Sequence, residues 1–218
     1  MQIETLLYKN GSWEVQKSFD LSGDADLVTI FGDTAEFVKK EHFDTLRSRY
    51  PRAEIVGCSS SGNILGPEVS QSSLVVTAIK FDSSKVILQS SSFEAGADIG
   101  VLSRELACKF DAEGLKHLFL LSDGLNVNGS ELVKGFNEAT TVTKTGGLAG
   151  DGARFEQTWV IANDYAQQYI IAAVGFYGDA LTIGSGCYGG WSEFGTHRII
   201  TKSDANILYE LDGEPALD

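Results

Sequence analysis

The sequence predicts a mixed α/β fold in which one strand–helix–strand–glycine loop–strands unit is used twice. Three observations predict it. First, Gly146, Gly147, Gly150 and Gly152 crowd into the stretch Gly146-Gly147-Leu148-Ala149-Gly150-Asp151-Gly152. Ordering glycine is entropically costly, so such a run points to positive-φ turns or to close approach of the backbone. Second, 90 positions earlier the chain has Gly57-Cys58-Ser59-Ser60-Ser61-Gly62, so that Gly57 matches Gly147 and Gly62 matches Gly152, both as Gly-x4-Gly. Third, the flanks recur in the same order. The apolar run at 26–31 returns at 116–121, and residues 74–81 (LVVTAIKF) return at 169–176 (YIIAAVGF), the last at an offset of 95.

The repeats span approximately 24–93 and 115–187. Two such units pack most simply about a pseudo-two-fold axis with the glycine loops beside it. Their strand–helix–strand passages are right-handed crossovers between parallel strands. The later strands, joined by short turns, are antiparallel, which gives a mixed parallel and antiparallel sheet. No Pro-rich or Ser-rich linker separates the halves, so residues 1–218 are expected to form one compact body.

Each element has a local reason. Residues 3–8 (IETLLY) form a strand, Asn10-Gly11 a turn, and 13–19 the returning strand. The run at 26–31 (DLVTIF) is β-branched and apolar, a buried strand. Asp33 caps a helix, with Glu36 three residues on in capping-box position. Ala35, Val38, Phe43, Leu46 and Tyr50 lie near one face, and Pro51 stops that helix. Residues 53–56 lead into the first glycine loop, and 73–81 and 86–91 are two further strands. Ile99, Leu102, Leu106 and Phe110 mark a second amphipathic helix closed by Gly114. The pattern then restarts with the strand at 116–121 and a helix through Leu132, Val133 and Phe136. Residues 142–145 enter the second glycine loop, followed by strands at 157–162 and 169–176. Near the end, 198–202 is a short strand and 207–211 a strand or short helix.

Composition excludes several function classes. The chain has 218 residues, 43% of them apolar, and a net charge of −13. An acidic surface repels phosphate backbones, which argues against a nucleic-acid partner. No run of eighteen apolar residues is present for a membrane span, and the start lacks a signal-peptide pattern; both favour the cytoplasm. Cys58, Cys108 and Cys187 form neither a disulfide framework nor a zinc ribbon, and no histidine has a partner at metal-ligand spacing.

Candidate site residues follow from the loops. Neither loop has the lysine and hydroxyl of a phosphate cradle. The loops are either tight turns at the pseudo-symmetric centre or a shared pocket of bare backbone N–H groups around Gly147, Gly150 and Gly152. In the pocket reading Asp151 and Arg154 anchor an ammonium and a carboxylate. Cys58, Ser59 and Ser60 could face the same ligand. Cys58 or Ser59 could also be a hydrolase nucleophile, but spacing nominates no base for it. Asp123, in Ser122-Asp123-Gly124 at a strand end, contacts a ligand or makes an Asx-turn. His197 is the one weak candidate for a haem ligand.

The motifs Ile55-Val56-Gly57-Cys58-Ser59-Ser60-Ser61-Gly62, Leu120-Leu121-Ser122-Asp123-Gly124, Gly146-Gly147-Leu148-Ala149-Gly150-Asp151-Gly152 and Asp212-Gly213-Glu214-Pro215-Ala216 together resemble the N-terminal region of the FIST domain family. The resemblance covers nearly the whole chain. It implies a cytoplasmic sensory domain that binds a small, amino-acid-like ligand and needs no cofactor. Its expected partners are signalling proteins such as a histidine kinase, a chemotaxis receptor or a cyclic-dinucleotide enzyme. One branch of the family is similar to haem-binding nitric-oxide sensors. No catalytic residue carries over, so no enzymatic activity is expected. The family pattern continues into a C-terminal region, which implies truncation before it, exposed apolar residues around 187–211, and possible homo-oligomers.

Overall fold

The computed structural model describes all residues except Ser18, Cys187, Tyr188, Trp191, Ala205, Asn206 and Asp218. The 187 boundary of the second repeat therefore lies outside the described residues. The chain divides into two compact units, Met1–Gly184 and Ser185–Asp218, where the sequence suggests one body.

The first unit is built on two mixed sheets. The larger contains β1 (Gln2–Lys9), β2 (Ser12–Lys17), β3 (Leu27–Gly32), β4 (Glu54–Ser59), β7 (Leu74–Lys80) and β11 (Val160–Ala162), in the order β11-β4-β3-β7-β1-β2. The smaller contains β8 (Lys85–Ser92), β9 (Leu115–Ser122), β10 (Thr143–Leu148) and β12 (Ile170–Tyr177), in the order β10-β9-β12-β8. A hairpin of β5 (Asn63–Leu65) and β6 (Glu68–Ser70), turning at Gly66, follows the first glycine stretch. Asn10 and Gly11, both at positive φ, close the β1–β2 hairpin as the turn signal requires.

Helices α1 (Thr34–Phe37) and α2 (Lys40–Arg49) connect β3 to the parallel β4; α3 (Ile99–Ala107) precedes β9, and α4 (Gly129–Ala139) connects β9 to the parallel β10. The helix expected over 34–50 is broken at Val38 and Lys39. In one continuous helix Phe37 and Phe43 would lie about 120° apart around the axis. The break lets both face the core, where they are buried.

Alternation along the strands separates three cores. Val28, Ile30, Leu74 and Val76 pack with Phe37, Phe43 and Leu46 of the first helix pair. Leu118, Leu120, Ile171 and Ala173 pack with Leu106, Leu132 and Phe136 of the second. Leu27, Val56, Cys58, Leu121, Ile170 and Val174 fill the space between the sheets. The unit is thus layered helix–sheet–sheet–helix, with both sheets buried on two faces, as near-continuous apolar strands demand.

The strand sets β4-β3-β7-β1 and β10-β9-β12-β8 have the same order and the same directions. Register refines the sequence match. Ile30 lies opposite Gly57 and Leu120 opposite Gly146, so the structural counterpart of Gly57 is Gly146, not Gly147. Gly32 pairs with Leu74 and Ser122 with Ile171, an offset of 97 positions, not 95. The repeat boundary at 93 also shifts, because β8 pairs with β12 in the second sheet. Gly146 and Gly147 belong to strand β10, and the loop proper begins at Ala149.

The second unit, described by itself, is a three-stranded antiparallel sheet of β13 (Ile200–Asp204), β14 (Ile207–Leu211) and β15 (Glu214–Pro215). Pro215 is tolerated in it because β15 is an edge strand. Phe194, Ile199, Ile200, Ile207, Leu208 and Tyr209 are exposed. Among the described residues, no helix is long and apolar enough to cross a membrane.

Candidate functional site

The two glycine stretches meet. Gly150 N–H donates to Ser59 O at 2.8 Å, and a Cβ on Gly150 would fall 2.6 Å from Ser61 Oγ and 3.0 Å from Ser61 N, so the close approach favours glycine there. The buried Ser59 exchanges hydrogen bonds with Trp159: its N–H donates to Trp159 O at 2.9 Å, and its hydroxyl accepts from Trp159 N–H at 3.0 Å. Ser60 Oγ accepts from Gly62 N–H at 3.0 Å and lies 2.7 Å from Gly62 O and 2.9 Å from Asn63 Oδ1. Ser59 thus ties the end of β4 to the approach of β11, and Ser60 closes a turn.

The charged candidates satisfy one another. Asp151 Oδ1 accepts from Thr34 Oγ1 at 2.6 Å and from Arg154 Nη2 at 2.6 Å and Nε at 3.0 Å; Oδ2 accepts from the N–H groups of Glu156 and Gln157. Burial acts to raise the pKa of Asp151, but these donors outweigh it and hold the carboxyl well below the usual carboxylate range. Arg154 also reaches Asp33 Oδ2 at 3.4 Å. The expected ammonium and carboxylate anchors are therefore each other's partners. Gly152, at φ +59, with no neighbour in the space a Cβ would fill, supplies a turn.

Asp123 is 0% exposed. It makes the Asx-turn, with Oδ1 accepting from Leu125 N–H at 2.9 Å, and it also bonds Thr158 and Tyr169. Cys58 points between the sheets, where burial pushes its thiol up to about 12. Among the described residues, the Ser59 hydroxyl has no hydrogen bond to a histidine or carboxylate, and it is sealed from solvent. Cys58 is expected to stay unlabelled by a mild thiol reagent at neutral pH, with Cys108 exposed and reactive. Native wild type and Cys58→Ser should label with the same fast stoichiometry, and only denaturation should reveal the extra thiol; a lost fast phase in the variant would contradict this.

His197 lies in the Ser185–Asp218 unit with its side chain 90% exposed and Glu193 Oε2 3.9 Å away. A haem ligand works within an enclosing pocket that controls access to the iron. Among the described residues of its own unit, none encloses this imidazole. Among the described residues no group of three or more His, Cys, Asp or Glu is placed to hold a metal ion.

The remaining candidate, Gly147, lies elsewhere. It lines a groove of about 800 Å3 between α4 and β10, together with Leu132, Val133, Asn137, Lys144 and Leu148. Among the described residues, Lys144 is the one charged residue in the lining. Its ammonium donates to Thr140 O at 2.7 Å and Val142 O at 2.8 Å, and burial lowers its pKa. An ammonium has three N–H donors, and among the described residues two of them are engaged in this way. His117 braces the strand from β9, with Nδ1 2.8 Å from Thr143 Oγ1 and Nε2 2.8 Å from Thr145 Oγ1. The sequence signal for this groove was a lone lysine in the threonine-rich Thr140-Thr141-Val142-Thr143-Lys144-Thr145, and glycine reasoning passed over it.

The model of the FIST N domain matches residues 26–214. The chain belongs to the FIST N domain family. FIST domains are a sensory family. The match runs from just before β3 to the first residue of β15, and so takes in the glycine stretches, the groove and most of the small C-terminal sheet. No curated protein matches this FIST N domain chain.

Proposed function

We propose that this FIST N domain is a cytoplasmic sensor that binds a small, amino-acid-like ligand in the groove between α4 and β10 and passes the signal to a partner signalling protein. That partner would be a histidine kinase, a chemotaxis receptor or a cyclic-dinucleotide enzyme. The reading assigns no cofactor and no catalytic residue. The observation that carries it is the groove itself: a concave space with apolar walls, hydroxyls and the Lys144 ammonium. Lys144 favours a ligand carboxylate, and the carbonyls of an open strand edge suit an ammonium. The loop junction, with its polar groups engaged internally, offers the ligand less.

A thermal-shift screen with amino acids and dicarboxylates tests the reading. A ligand at 100 times its Kd adds about 2.7 kcal/mol of stability. Lys144→Met is expected to weaken a carboxylate ligand by about tenfold or more, as loss of a charge-assisted hydrogen bond implies. Stabilisation that survives Lys144→Met undiminished would move the ligand out of the groove.

A further inference from the structure

The two sheets differ at one edge. On β4 the outer edge is covered by β11, with Val160 opposite Cys58, Ile161 opposite Gly57 and Ala162 opposite Val56, antiparallel. On β10, the corresponding strand, β9 is the only strand neighbour among the described residues. The correspondence is close. Ser60 N–H donates to Gly32 O and Ala149 N–H to Ser122 O, each at 2.8 Å. Alternation in a parallel ladder then turns the amides of Ile55, Gly57 and Ser59 away from β3, and those of Lys144, Gly146 and Leu148 away from β9. In the first set, Ser59 N–H meets Trp159 O and Ile55 N–H meets Asn163 Oδ1. The second set faces the groove. The first half cannot reciprocate with a crossing strand, because the segment after its glycine stretch is folded on itself as the β5–β6 hairpin.

We infer that the open edge of β10 is the docking site for an extended strand of a partner protein, paired antiparallel as β11 is on β4. An open edge with unpaired amides is a template for another chain, and strand addition is a common way of binding a peptide. The flanking surface sets the strand's chemistry. Ile161 of β11 packs in the helix-side core of its sheet; the incoming strand has an aliphatic residue at the same place, against Leu132 and Val133 of α4. In the antiparallel direction its C-terminal end passes Lys144. Among the described residues the groove lining holds that one cation and no acid, so an acidic side chain belongs there. The inference rests on the sensory reading for there being a partner at this groove, but its pairing geometry is tested with no small ligand present.

The test is a titration of the full 15N-labelled chain with a six-residue peptide copying residues 158–163, with aspartate replacing the final asparagine. Amide shifts centred on Lys144, Gly146 and Leu148 are expected. N-methylating one edge-facing peptide amide should weaken binding about tenfold, since it removes a paired donor. Leu148→Lys, at an exposed position, should weaken it similarly while circular dichroism stays unchanged, and a peptide ending in lysine should bind less well than one ending in aspartate. No groove shifts at millimolar peptide, or equal binding of the methylated peptide, would overturn the inference. So would a dimer by sedimentation that Leu148→Lys dissociates, since a second copy would then own the edge. Failure of every small ligand in the thermal screen, with peptide shifts intact, would remove the ligand pocket and leave the strand site.

Discussion

Asp123→Ala is expected to destabilise the first unit by about 2–4 kcal/mol, because it removes a buried acceptor and orphans the donors gathered on it. The carboxylate accepts five hydrogen bonds: from Leu125 N–H, Asn126 N–H and Thr158 Oγ1 on Oδ1, and from Asn126 Nδ2 and Tyr169 N–H on Oδ2. It thereby ties the end of β9 to the approach of β11 and to the start of β12. Truncation leaves the buried Thr158 hydroxyl and the partly buried Tyr169 N–H without this partner, and an orphaned buried donor costs about 1–3 kcal/mol. Urea unfolding followed by circular dichroism measures the effect, and a loss under about 1 kcal/mol would show the network to be dispensable. The pH dependence has a definite sign. Burial acts to raise the pKa of Asp123, but the five donors outweigh it and hold the folded value below the ordinary 3.8. Its stabilisation is therefore present above that ordinary value and is lost as pH falls through the folded one. Wild type should lose its advantage over Asp123→Ala in strong acid. Asp151, held down by Arg154 and Thr34, adds acid sensitivity of the same sign.

Gly146→Ala is expected to cost about 2–6 kcal/mol, combining overpacking with backbone strain. A Cβ there would collide with Leu120 O, a backbone atom of the neighbouring strand that cannot rotate aside. Gly146 also has φ +147, which alanine rarely adopts. Gly57→Ala meets the corresponding obstacle, Ile30 O, without a positive φ, so about 1–3 kcal/mol is expected from the clash. Gly147→Ala, with nothing within 4 Å of its Cβ, should stay within about 1 kcal/mol of wild type. The ranking 146, then 57, then 147 can be read from thermal or urea midpoints. It tests the register directly, because alignment by sequence makes Gly147 the counterpart of Gly57. A Gly147 variant as damaging as the Gly57 one would restore that alignment.

Much of the fold was legible because its signals are local. The apolar runs that became β3, β9 and β12, the Asp33 cap and the Asn10-Gly11 turn each follow from a few neighbouring residues. The order of elements and the FIST resemblance rest on such signals. The candidate site was far less legible. Of the residues nominated around the glycines, Ser59, Ser60, Gly150, Asp151 and Arg154 do come together, but with their polar groups turned on one another. Sequence can nominate a charged side chain; whether that charge is spent inside the fold depends on what arrives from distant positions. Thr34 reaches Asp151 from 117 residues away, and Tyr169 reaches Asp123 from 46.

The sequence by itself determined that strands and helices alternate, that glycine is concentrated in two stretches, and which family the chain resembles, because composition and short-range periodicity carry that information. Only the tertiary structure decided that Gly146 is the partner of Gly57, that β8 joins the second sheet, and that β11 covers β4 while β10 keeps an open edge. Those facts depend on strand register and on which edge a distant segment reaches. A one-residue slip leaves the pattern of a glycine-rich stretch nearly unchanged, while it turns every side chain to the opposite face.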